Sequence, residues 1–333
     1  MYSGRKIAKL TIFAFIMLVL ILRPQCGLEA ALNSIDLCLR SVIPGMFPLL
    51  FLSSLLAGEL CSYSLPFIET ILHIPTGSAG FFLIGLVCGY PVGAKLLQNE
   101  INKINISSKN ATRMIIFCNN ASPAFIIGIL SPIFSSVWYA IAIWLIQIIA
   151  SIIVGILLPG HKPETISKNP LKNTSPGAIM IESIKAIATI CGWIILFGIL
   201  LAYLNTPMIQ YLNSVPKVIL SGILELTNGM HALQHIYSPS IRFMVCSILL
   251  SLGGLCILLQ TKSVAPSVCT KKYICGRLFH ASITGTLASI FSYKLFPTDT
   301  ASAYCLPLFL SILVMALLIL YFSKKMVAIT RNV

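Results

Sequence analysis

The sequence predicts an all-α polytopic membrane protein built as an inverted repeat with two re-entrant hairpins. Three observations predict it. The 333-residue chain is 57% hydrophobic and only 10% charged, where soluble domains carry about 25% charged residues. Its apolar residues gather into runs about as long as a bilayer is thick. Two of the runs are cut near their centre by glycine and polar residues, and they hold matching places in the two halves of the chain.

Taken in order, spans are expected near 7–22, 42–60, 111–130, 134–158, 180–204, 239–261, 278–296 and 301–322. The N-terminal stretch MYSGRKIAKLTIFAFIMLVLIL has a basic start and an apolar body. Arg23-Pro24-Gln25-Cys26 follows it with no small-x-small cleavage site, so it reads as a retained first span. The two odd segments are 79–98, broken by Gly89-Tyr90-Pro91 and Gly93, and 217–235, broken by Thr227-Asn228-Gly229. An arm of roughly ten residues rises only about 15 Å as a helix, half the hydrocarbon thickness. Each segment is therefore expected to enter and leave on one side.

The order span–hairpin–span–span then occurs twice, from opposite sides of the membrane, which is the architecture of many secondary transporters. The expected organisation is an N-terminal span and connector (1–41), a first repeat (42–158), a polar linker (159–177), a second repeat (178–296) and a C-terminal span with a basic tail (297–333).

The formal net charge of +14 does not indicate nucleic acid, because the basic residues fall between apolar runs rather than along one face. With both hairpins re-entrant and the N-terminus inside, most of the 23 basic residues lie on the inner side. These include Lys95, Lys103, Lys109, Arg113, Lys262, Lys271, Lys272 and Arg277. Both termini are then cytoplasmic. The eleven cysteines form no CxxC pair and mostly sit inside apolar runs, as small apolar residues of a reducing compartment do. His231 and His235 share a helical spacing but have no evident third metal ligand. No nucleophile elbow, Walker loop or dinucleotide fingerprint is present. A non-enzyme without metal or cofactor is expected, with H⁺ or Na⁺ as the possible coupling ion.

The stretch FCNNASPAFIIG, residues 117–128, places two asparagines, a serine and a proline at the centre of an apolar run. An unpaired polar group in hydrocarbon costs several kcal/mol, so such a segment must face protein or a water-filled cavity. The second half offers ELTNG (225–229) followed by SLGGLCILLQ (251–260). Interrupted segments at matching places point to a binding site at the membrane midplane. An asparagine in a span can also simply bond a neighbouring helix. Glu225 is a carboxylate within an apolar segment, a functional candidate by default. Lys95 is either a partner for a carboxylate or a snorkelling residue. Glu59, Glu182 and Gln260 are expected at the interface.

GYPVGAKL (89–96), FCNNASPAFIIG (117–128), ELTNG (225–229) and GGLCILLQ (253–260) resemble the YlbJ-type sporulation integral membrane proteins, of the nucleoside-recognition gate group. The resemblance runs from about residue 40 to the C-terminus. It implies a fold similar to the gate domains of concentrative nucleoside transporters. It implies transport of dipicolinic acid, a small planar anion, across the outer forespore membrane. Other solutes of the gate group, including nucleosides, and a structural role in spore-envelope assembly are the alternatives. Carried over by position, Tyr90, Pro91, Gly93 and Lys95 form the first hairpin tip, and Asn119, Asn120 and Ser122 the first unwound span. Glu225, Thr227, Asn228 and Gly229 form the second tip, with Gly253 and Gly254 at the second unwound span.

Overall fold

The computed structural model describes residues 20–60, 64–160, 175–204 and 214–299, with isolated positions 11, 14, 17, 18 and 301. Most of the expected first span, the core of the 159–177 linker, and the C-terminal span with its basic tail lie outside the described residues. So does the chain between α9 and α10, named below.

Helix α1 (Pro24–Leu37) runs through a π-helical turn (Cys38–Val42) directly into α2 (Ile43–Leu60). The expected connector before residue 42 is therefore helical, opened by Pro24 in the first turn, where its missing N–H costs nothing. A short α3 (Pro66–Leu72) leads to the first helical pair, α4 (Ala79–Cys88) and α5 (Val92–Asn102). Then come α6 (Ser108–Cys118), α7 (Pro123–Phe134) and α8 (Val137–Leu157). The second half holds α9 (Pro176–Leu204), the pair α10 (Ser214–Leu224) and α11 (Leu226–Ala232), then α12 (Pro239–Leu252), α13 (Gly254–Val264) and α14 (Thr270–Leu295).

Five helical stretches among the described residues are long and apolar enough to cross a membrane: Pro24–Leu56, Ser108–Phe134, Val137–Leu157, Pro176–Leu204 and Pro239–Val264. Helix α14 is not among them, although 278–296 reads as a span. Its Arg277, His280, Thr284, Ser289 and Ser292 are buried inside the bundle, so polar groups dilute its apolar character without meeting lipid. It packs on α6, α8 and α12 as a polar spine.

The first pair turns at Gly89-Tyr90-Pro91, where the sequence places it. The second breaks at Glu225, two residues before the expected Thr227-Asn228-Gly229. The Glu225 carboxylate accepts the backbone N–H groups of Thr227 and Asn228, at 3.0 and 2.7 Å, and so caps α11. The turn-forming residues become its first helical turn.

Small residues let the arms of each pair meet. A Cβ at Gly93 would lie 3.3 Å from the Gly85 Cα, and one at Gly229 only 2.3 Å from the Gly222 Cα. Each pair is also pressed onto the broken span of its own half. A Cβ at Gly85 would strike the Cys118 carbonyl, and one at Gly254 would lie 2.6 Å from the Gly222 carbonyl oxygen.

Two clusters of hydrogen bonds tie connections together. In the first, Gln98 and Ser108 bond Ser267, and the Cys269 N–H reaches Thr112. In the second, Ser238 and Ser240 donate to Asp299, and Arg242 donates to the Ile133 carbonyl. The last turn of α5 thus lies at the first cluster, and the chain after α11 leads into the second.

A cavity between the two turns

The two turns meet at a cavity of about 590 Å³. Cys88 and Tyr90 line it from the first turn, and Glu225, Leu226 and Thr227 from the second. Ser122, Phe125 and Gly128 of the first broken span form one wall, and Ile257 and Gln260 of α13 another. Ile190 and Ile194 of α9 contribute, as do Ser41 and Val42 of the π-helical turn with Gly45 and Met46 after it. The wall is mainly apolar with a few convergent polar groups, the usual character of a small-molecule site.

Local sequence explains the placement. Ser122 accepts the Phe125 N–H at 3.2 Å and caps α7, with Pro123 in its first turn. Pro123 thus opens a helix instead of disrupting one. The Tyr90 N–H donates to the Asn120 carbonyl at 2.6 Å, tying the first turn to the first break. The Tyr90 hydroxyl is buried and unpartnered. Glu225 is 2% exposed, and besides the two N–H groups it accepts the Asn228 side-chain amide at 2.9 Å. The Thr227 side chain adds a fourth bond, so the donors of its own turn occupy the carboxylate.

The other expected site residues are placed as follows. Pro91 follows a cis peptide at the turn, and Gly93 packs on Gly85. Lys95 is buried in α5 with an unpartnered ammonium group, and Glu182 is the carboxylate within its electrostatic reach. It is not part of the cavity wall. Asn119 donates to the Thr261 hydroxyl at 3.1 Å and the Tyr273 hydroxyl at 3.0 Å. Asn120 donates to the Phe117 carbonyl and the Ser151 hydroxyl, both at 2.8 Å. Both amides point into protein, behind the wall that Ser122 faces. Asn228 serves Glu225, Gly229 packs on Gly222, and Gly253 and Gly254 form the second break, with φ of 77° and 73°.

Behind this wall lies a buried polar network. Arg277, 3% exposed, donates to the Ile116 carbonyl and to the Asn120 side-chain oxygen, each at 3.0 Å, and to the Leu250 carbonyl at 3.4 Å. One cation thereby meets the carbonyl ends of α6 and α12, the two helices that stop inside the candidate spans Ser108–Phe134 and Pro239–Val264, where a positive charge offsets their dipoles. His280 sits between Ser151 and Ser251, 3.1 Å from each. Arg113 similarly bonds the carbonyls of Leu72, His73, Gly155 and Leu158. The charge count places both arginines among inner loops; the structure instead buries them as caps on helix ends.

The polar cavity residues that sequence reading did not place in the site are Ser41 of the π-helical turn, His231, Gln234 and Gln260. Gln260 sits at the end of the GGLCILLQ run, and its polarity inside an apolar helix is a legible signal. The π-helical turn carries no such mark.

These features define an all-α polytopic membrane protein with an internal cavity between two broken helical pairs. A stretch of 122 residues, 35% of the chain, is 34% identical to the sporulation integral membrane protein YlbJ of Bacillus subtilis (strain 168). The match spans 30% of that protein's length. No family model matches the chain, and no solved structure matches it.

Proposed function

We propose that this chain is a YlbJ-type secondary transporter that carries a small solute through the cavity by alternating access. The observation that carries the reading is that two helical turns, one from each half of the chain, meet at one cavity. The bonds between Gln98, Ser108 and Ser267 support a first pair that enters and leaves on one side. The two halves are then inverted repeats. The resemblance makes dipicolinic acid the first candidate solute and the mother-cell-derived outer forespore membrane the site of action, with both termini cytoplasmic. On this reading the chain is a carrier and not an enzyme.

A nucleoside or similar neutral ring is the second reading. It is favoured by a cavity wall that holds no lysine or arginine among the described residues.

Uptake of labelled dipicolinate into proteoliposomes tests the function. A side chain added at Gly128 meets nothing within 4 Å, and Gly128 lines the cavity. Gly128→Trp therefore fills the space at little cost to the fold. Saturable uptake by the wild type and none by a stably folded Gly128→Trp is expected. Equal uptake by both would overturn the cavity as the route. For the topology, single cysteines at Lys103 and Ser267 are expected to label from the same face; labelling from opposite faces would exclude the re-entrant pair.

A further inference from the structure

Five lysines gather where two connections meet. The Gln98 amide bonds the Ser267 hydroxyl and accepts the Ser267 N–H, both at 3.0 Å, and the Ser108 hydroxyl donates to the Ser267 carbonyl at 2.6 Å. The Cys269 N–H donates to the Thr112 hydroxyl at 3.1 Å. The connection between α5 and α6 is thereby fastened to the one between α13 and α14, so a segment of each half of the chain takes part. Lys103 and Lys109 flank the first of these bonded stretches, and Lys262, Lys271 and Lys272 border the second.

Residues 98–112 and 260–272 set these five lysines against one carboxylate, Glu100, a formal surplus of +4. Glu100 is already taken by the Lys103 ammonium group and the Asn105 amide, each at 2.8 Å. Lys262 donates to the Pro266 and Val268 carbonyls. Lys109, Lys271 and Lys272 are exposed and have no carboxylate partner among the described residues. Cations gathered on one surface without counter-charges raise a local potential that attracts anions.

Position and shape point to the kind of anion. Ser108 opens the candidate span Ser108–Phe134 and Val264 closes Pro239–Val264, so the patch sits where two spans leave the membrane. Lysines at that level face phospholipid headgroups. Beside Lys103 stands Ile104, 92% exposed, with a φ of 61° that β-branched residues rarely adopt. The Ile104 N–H on the Ile101 carbonyl and the Asn105 N–H on the Glu100 carbonyl, both at 3.0 Å, hold this turn. An apolar side chain is thus presented outward among cations, which suits a lipid surface rather than a fully hydrated polyanion.

We propose that this surface binds the headgroups of anionic phospholipids, with Lys109, Lys271 and Lys272 on the phosphates and Ile104 inserted toward the acyl chains. A headgroup held there touches a connection from each half of the chain and braces the joint between them. The inference does not depend on the solute that the cavity takes.

The test uses the purified full chain, delipidated in a neutral detergent. Dioleoylphosphatidylglycerol and dioleoylphosphatidylcholine are titrated separately, and the rise of the unfolding midpoint reads the apparent affinity for each. At about fivefold for each of the three unpaired lysines, the wild type is expected to prefer the phosphatidylglycerol by about a hundredfold. That preference should shrink as salt is raised. Lys109→Gln/Lys271→Gln/Lys272→Gln is expected to abolish it. Ile104→Ser is expected to weaken both lipids alike and leave the preference and its salt dependence intact. Lys185→Gln/Lys217→Gln/Lys294→Gln removes the same charge elsewhere and is expected to keep the preference. Equal wild-type affinities for the two lipids, or an equal loss in both triple variants, would overturn the inference. So would inorganic phosphate that raises the midpoint as far as phosphatidylglycerol does at equal concentration, since the surface would then be a free-phosphate site.

Discussion

The two broken spans make the same interruption by opposite means. The first, at Asn119–Ser122, is held by side chains. Asn119 reaches Thr261 and Tyr273, Asn120 reaches Ser151 and receives Arg277, and Ser122 caps the helix that follows. The second, at Gly253 and Gly254, has no side chains at all. It relies on left-handed backbone and on the close approach of Gly222. A helix can thus be broken in an apolar setting by supplying partners for the freed groups or by removing the atoms that would stop another backbone from covering them. The polar break connects to the bundle core through α14. The bare break connects to the second helical pair by steric fit.

The contrast is broken most severely at the bare site. Gly254→Ala puts a Cβ 2.6 Å from the Gly222 oxygen at a φ of 73°, and a loss of about 3 kcal/mol or more is expected from strain and overpacking. Thermal unfolding in detergent reads it; an unchanged midpoint would show that the fit with Gly222 is not required.

Arg277→Met comes next. It leaves the Ile116 and Leu250 carbonyls and the Asn120 oxygen without their donor, for an expected loss of about 2–4 kcal/mol. Arg277→Lys should recover part of it, and full stability in the methionine variant would contradict the capping role.

Asn120→Ala is expected to cost about 1–3 kcal/mol, the range for orphaning buried partners. A double-mutant cycle with Ser151→Ala sharpens this: the two losses should fall short of additive, whereas strict additivity would mean that the pair does not interact.

The smallest effect concerns the second cluster of hydrogen bonds, where Asp299 ties the end of α14 to the start of α12. Partial burial raises its carboxyl pKa, but donors from Ser238 and Ser240 outweigh that and hold it down to about 2. A carboxylate depressed on folding contributes stability that is present above its unfolded value of about 3.9 and lost as the pH falls through the folded value. The wild type should therefore lose an increment between about pH 4 and pH 2 that Asp299→Asn lacks. Parallel acid profiles would remove Asp299 from the account.

The polar break was legible because two asparagines inside an apolar run have no other tolerable place. The first turn was legible because Gly89 and Pro91 are strong turn residues. The second turn was misplaced because glutamate is not a preferred helix cap, so Thr227-Asn228-Gly229 gave the louder signal. Arg277 looked like a loop residue, since sequence reports a charge and not the carbonyls that surround it. The segment expected as a span at 278–296 is one continuous helix, and sequence could not show that its polar residues are turned into the bundle. The π-helical turn beside the cavity was hidden because its residues are ordinary helix formers.

The most direct test of the cavity as a solute site is the thermal stability of the purified wild type and of Gly128→Trp as dipicolinate is titrated. A ligand bound only by the folded state adds about 2.7 kcal/mol at a hundredfold excess over its Kd. A concentration-dependent rise in the wild-type midpoint, absent from an equally folded Gly128→Trp, is the predicted result. The same rise in both proteins would place the ligand elsewhere and contradict the account.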